Sequence, residues 1–133
     1  MRKALSVLFG MFVFAAMAIA VDPPSSPTHK DLGVLETPWG QKRCFDAYGP
    51  KTAAAPEYPL KQKKAGIGAR VSAAVHVNEK GKVLAVSVMT SGGDKAFDDA
   101  AIKALKKWTF EPFVEDGVAK EFVTLQRMEF RPH

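Results

Sequence analysis

The sequence predicts an α+β fold, strand–strand–helix–strand, with the helix laid on one face of a small antiparallel three-stranded sheet. Three observations carry that prediction. Residues 70–78 and 83–90 alternate in polarity on either side of a Lys80-Gly81 turn, which is a hairpin pattern. Residues 91–112 contain a single amphipathic helical stripe. A third strand-like run, 122–130, follows a turn at Asp116-Gly117.

Taken in order, the chain begins with a targeting segment. Arg2 and Lys3 precede an uncharged run from 4 to 20 that ends in Ala18-Ile19-Ala20, the small-x-small pattern read by signal peptidase. Residues 1–20 are thus expected to be a signal peptide. An uncleaved anchor is the alternative, because the run is at the short end of what spans a bilayer. Both readings place the remainder outside the cytoplasm. Residues 21–55 read as a proline-containing linker, with Pro23, Pro24, Pro27, Pro38 and Pro50 opposing regular structure. Leu32, Val34, Leu35, Trp39, Phe45 and Tyr48 are too apolar for a pure spacer, so some pack on the domain or on a partner.

The domain is expected over 56–133. Pro56-Glu57-Tyr58-Pro59 is a stiff extended lead-in, since each proline fixes its own φ and biases its predecessor. A short helix at 60–65 ends at Gly66. The first strand puts Val71, Ala73, Val75 and Val77 on one face and Arg70, Ser72, Ala74, His76 and Asn78 on the other. His76 is expected on the surface. In the second strand Leu84, Val86 and Val88 alternate against Ala85, Ser87 and Met89.

The helix places Phe97, Ala101, Leu105 and Trp108 on one side, with Ala104 beside them. Asp94 is its expected N-cap, and acids early with lysines late oppose the helix dipole favourably. Phe97, Ala101, Leu105, Trp108, Phe110 and Pro112 are the expected structural core. In the last strand Val123 and Leu125 face away from Phe122, Met128 and Phe130, and the pattern leaves the buried face open.

Composition narrows the chemistry. Without Arg2 and Lys3 the chain carries 17 bases against 14 acids, a balance expected of a solvated surface rather than a nucleic-acid interface. Lys61, Lys63, Lys64 and Arg70 are the one local basic cluster. Cys44 is the sole cysteine, so no internal disulfide forms, and a buried or unreactive thiol is expected. His29, His76 and His133 are scattered without metal-ligand spacing, so no metal and no cofactor are expected. Asp98 and Asp99 point in different directions on the helix, and no histidine-based nucleophile motif accompanies Ser87, Thr90 or Ser91. No catalytic residues, and no enzyme, are expected.

Several pieces together resemble a family. P-E-Y-P opens the domain, G-I-G-A-R-V leads into the first strand and N-E-K-G-K-V forms the hairpin turn. S-G-G precedes F-D-D-A-A, K-K-W-T-F-E-P closes the helix, and a last strand ends at Phe130. Over about 75 residues this order is similar to the C-terminal domain of TonB, which links outer-membrane transporters to the inner membrane. The resemblance implies a periplasmic domain that captures an extended plug segment of a transporter by strand addition, in energy-coupled nutrient uptake of the siderophore type. It implies partner contacts at Pro56, Glu57, Tyr58 and Pro59, and along the last strand at Phe122, Val123, Thr124, Leu125, Gln126, Arg127 and Met128. Inner-membrane motor proteins are a second implied partner class. The leader has Ser6 but no histidine between 4 and 20, and the 35 residues of 21–55 stretch to at most about 120 Å. A non-energised periplasmic scaffold or adaptor, using the same edge for other proteins or for a homodimer, is the alternative.

Overall fold

The computed structural model describes residues 29–132; the expected leader and residues 21–28 lie outside them. Among the described residues eleven elements follow one another. β1 (Lys30–Thr37) and β2 (Gly40–Asp46) form a hairpin, and β3 (Pro50–Thr52) follows. α1 (Leu60–Lys64) leads to the hairpin of β4 (Ala69–Val77) and β5 (Val83–Thr90), then to α2 (Lys95–Leu105). Short strands β6 (Thr109–Phe110), β7 (Phe113–Glu115) and β8 (Val118–Lys120) precede β9 (Phe122–Phe130).

The α+β class and the strand–strand–helix–strand order hold for 69–130, but the sheet differs from the expected one. It has five strands in the order β1-β2-β9-β4-β5, and it is mixed, because β2 runs parallel to β9. The two extra strands come from residues expected to be linker. Proline content marked 21–55 as irregular, yet only Pro38 and Pro50 fall within 29–55. Pro38 sits in the β1–β2 turn, and Pro50 opens a short strand paired to Phe110. Neither interrupts a ladder, so nothing prevents 30–46 from pairing.

The core lies between this sheet and α2. Val71, Ala73, Val75 and Val77 face the helix as expected, meeting Phe97, Ala101, Ala104 and Leu105. Asp94 caps α2, its Oδ1 accepting from Ala96 N at 2.9 Å. Trp108 is half-buried and donates from Nε1 to Ala54 O at 2.8 Å, and Phe110 is buried. Pro112 is exposed, contrary to expectation, because Phe113 takes the inward place. Leu84 is exposed as well: the β4–β5 register shifts between His76 and Val77, which turns it outward.

The far face of the sheet carries a smaller cluster of Cys44, Ala74 and Val123 with Leu32, Trp39 and Leu125. β9 is therefore buried on both faces over its first half. That explains its mixed polarity pattern. His76 is buried rather than superficial. Its ring stacks on Trp39 with centroids 5.1 Å apart, and its Nε2 lies 2.9 Å from Glu121 Oε1.

Candidate docking site

The last strand was expected to offer a free border to a partner. Instead it is third of five. Val123, Thr124 and Leu125 pair with Cys44, Phe45 and Asp46, and Ala47 N donates to Leu125 O at 2.9 Å. Side chains reinforce the seam: Tyr48 N donates to Thr124 Oγ1, Gln126 Nε2 donates to Tyr48 O, and Arg127 bonds Asp46 at 2.8 Å. Strand addition along 123–125 is thus ruled out in this arrangement, and Phe122, Val123, Thr124 and Gln126 are interior residues. The reason is the aromatic pair Phe45 and Tyr48. Both are buried against Phe122, at 5.7 and 4.5 Å between ring centroids, and burial of that area holds β2 on the seam.

The seam stops short. At Ala47 the backbone adopts φ 59° and the chain turns away from β9. In an antiparallel ladder, residues alternate between directing both main-chain groups to one neighbour and directing both to the other. Leu125 O points at β2, and the β4–β9 register runs without a shift to Ala69↔Phe130. Arg127 and Glu129 consequently turn N–H and C=O towards the side that β2 has left. Among the described residues no backbone hydrogen bond links 53–56 to β9, so this stretch of edge is open. A groove of about 300 Å³ lies there, lined by Ala53, Ala54, Ala55, Pro56, Trp108, Arg127, Met128 and Glu129.

The expected lead-in contacts divide. Pro56 borders this groove, whereas Glu57, Tyr58 and Pro59 line a different one against α2. Tyr58 is mainly a packing residue, with its ring 5.5 Å from Phe130 and its hydroxyl donating to Ile67 O at 2.5 Å. At the open edge, hydrogen bonds from Arg131 and then Arg70 hold the Glu129 carboxyl below its ordinary range, keeping it ionised. Burial pushes the Cys44 thiol upward, so it stays protonated and a poor nucleophile. Among the described residues no group of His, Cys, Asp or Glu is placed to hold a metal ion. No described helix is long and apolar enough to cross a membrane.

Sequence reasoning flagged Trp39, Phe45 and Tyr48 as too apolar for a spacer but did not place them on this seam, and it put His76 on the surface. For the three aromatics the signal was their clustering within 29–55, around a Pro38-Trp39-Gly40 turn.

Comparison with known proteins agrees with this architecture. Residues 54–132 match the family described as Gram-negative bacterial TonB protein C-terminal. The Protein TonB of Vibrio cholerae is 30% identical over 96 residues, 71% of this chain and 38% of that protein. The Protein tonB2 of Pseudomonas aeruginosa is 41% identical over 58 residues, 44% of this chain and 22% of that protein. The chain thus spans well under two thirds of these relatives. A solution NMR structure of the Pseudomonas aeruginosa TonB CTD superposes with TM-score 0.54 at 26% identity, covering 62% of this chain and 84% of that one. The tonb2 protein of Vibrio anguillarum, at 24% identity and TM-score 0.51, shares the fold over 86% of this chain and 99% of its own. With the match covering more than half its length, the chain belongs to the family of the Gram-negative TonB C-terminal domain.

Proposed function

We propose that this chain is a periplasmic docking domain that captures an extended segment of an outer-membrane transporter, in TonB-type energy-coupled uptake. The segment adds as a short strand at 127–130 of β9, where β2 has turned away, and lies in the groove beside Pro56. One feature carries the reading: by the β4–β9 register Arg127 and Glu129 turn main-chain donors and acceptors away from β4, and among the described residues no backbone group meets them above the Met128 and Trp108 side chains. Main-chain pairing gives such a site affinity with little demand on partner sequence. Pulling by inner-membrane motor proteins is the energised form of the proposal; a non-energised adaptor uses the same edge.

The test uses proline as a donor deletion. Arg127 N–H faces the open side, so Arg127→Pro leaves the donors of Gln126 and Met128 to β4 in place. Transporter plug peptides are titrated into wild type and variant by calorimetry, with circular dichroism as the folding control. Loss of one or two hydrogen bonds predicts roughly five- to tenfold weaker binding in the variant. Unchanged affinity in a folded Arg127→Pro protein would refute docking at this edge.

A second reading has its own support. β5 is the last strand of the sheet and exposes Leu84 and Met89, a pattern suited to edge-to-edge pairing between two copies. Sedimentation of wild type against Leu84→Lys distinguishes it, since dimerisation through β5 would be lost in the variant.

A further inference from the structure

The basic cluster of the sequence is not engaged at the β9 edge. Lys61, Lys63 and Lys64 are exposed on α1, while Lys103, Lys106 and Lys107 are exposed at the end of α2. Among the described residues none of the six makes an ion pair. Two nearby acids are already engaged, since Asp94 accepts from Ala96 N and Gln62 Nε2 and Asp99 pairs with Lys95; Glu57 makes no ion pair among the described residues.

Between residues 57–60 and α2 runs a groove of about 590 Å³, larger than the one beside β9. Its floor is apolar, formed by Ala96, Ala100 and Ala104, with Tyr58 and the exposed Leu60 on the opposite wall. Lys103 and Lys107 line it, and Glu57 is the one acid in its lining.

We propose that this groove is a second docking surface, taking an acidic polypeptide segment about five residues long with an apolar side chain between its carboxylates. The length follows from the floor. From Ala96 to Lys107 the helical rise is roughly 16 Å, the span of about five extended residues. A peptide is favoured over a phosphate headgroup for two reasons. No arginine fork lines the groove, and the N-terminus of α2, the natural anion seat of a helix, is filled by the Asp94 carboxylate. Lysines on flexible stems around an apolar trough suit carboxylates spread along a chain. The surface is separate from the β9 edge, and the proposal does not depend on strand addition there.

The experiment is an amide NMR titration of the full chain with a short synthetic peptide alternating glutamate and leucine. The expected result is shifts at Leu60, Ala100 and Ala104 and an affinity that falls as salt rises. At least about tenfold weakening is expected in Lys103→Glu/Lys107→Glu, with a smaller loss in Lys103→Gln/Lys107→Gln. Both pairs are exposed, so the fold tolerates them. Arg127→Pro should leave this binding intact, which separates failure of the groove from failure of the β9 site. Absence of shifts, shifts confined to 127–130, or equal binding of a lysine–leucine peptide would overturn the proposal. So would lysine-dependent binding to phosphatidylglycerol vesicles with none to the peptide.

Discussion

Gly81 is where a single atom matters most. It holds φ 85° in the β4–β5 turn, and its carbonyl accepts from Phe110 N at 2.8 Å. A Cβ there would overlap the Phe110 carbonyl, which is backbone and cannot swing aside. Gly93 also has positive φ, at 94°, but open space surrounds it. Gly81→Ala should therefore cost several-fold more stability than Gly93→Ala, for which left-handed strain alone predicts about 1 kcal/mol. Urea unfolding of the two variants checks the difference; equal losses would mean that the Phe110 contact is unimportant. Cys44 illustrates a residue whose chemistry was legible early. One cysteine can form no internal bridge, and its burial now supplies the reason for an inert thiol.

Among the elements, the β1–β2 hairpin does the most that sequence did not announce. It precedes the family-matched region yet supplies Phe45 to the main core, and the turn after it supplies Tyr48. Its other fastenings are Lys42 to Glu121 at 3.0 Å, Arg43 to Glu115, and Trp39 stacked on His76. These half-buried ion pairs lie at the rim of the packing, so the aromatic burial dominates. Phe45→Ala should destabilise the protein by about 3–5 kcal/mol. A chain starting at residue 53, although it holds the whole of the family match, should lose cooperative unfolding, because Phe110, Phe113 and Phe122 would be uncovered. Heat denaturation followed by near-ultraviolet circular dichroism reads both. A sharp transition in the shortened chain would show the hairpin to be accessory.

At the scale of the whole molecule, two titrations act on that same hairpin. Burial beside Phe45 and Tyr48 lowers the His29 imidazole below its ordinary value of 6.5, against a weaker upward pull from Asp31. The folded state thus resists a proton that the unfolded state accepts. This contribution is complete above pH 6.5 and declines as pH falls from there through the depressed folded value. Glu121 is lowered from 4.5 by hydrogen bonds from Lys42 and then His76, so its share persists above that value and is lost below it. Stability measured by urea midpoint should therefore fall in two stages on acidification. His29→Phe should flatten the first stage, and Glu121→Gln should lessen the second, to which the lowered Glu129 carboxyl also contributes. A wild-type midpoint that stays level from pH 7.5 down past 6.5 would contradict the role given to His29.

Much of this protein was readable from local pattern. Alternation at 70–78, the stripe of Phe97, Ala101 and Leu105, the Asp94 cap and the Asp116-Gly117 turn each depend on neighbours a few residues away, so periodicity suffices to place them. The family, too, lay in short motifs at fixed spacing. Only the tertiary structure decided which edge stays open. The seam between Cys44–Asp46 and Val123–Leu125 joins distant parts of the chain, and no local rule specifies a parallel neighbour. For the candidate site this meant that Phe122, Val123, Thr124 and Gln126 became interior, while the outward main-chain groups of Arg127 and Glu129 have no backbone partner among the described residues because the backbone turns away at Ala47. Sequence fixes what each segment can become; long-range burial of Phe45 and Tyr48 selects which borders remain for a partner.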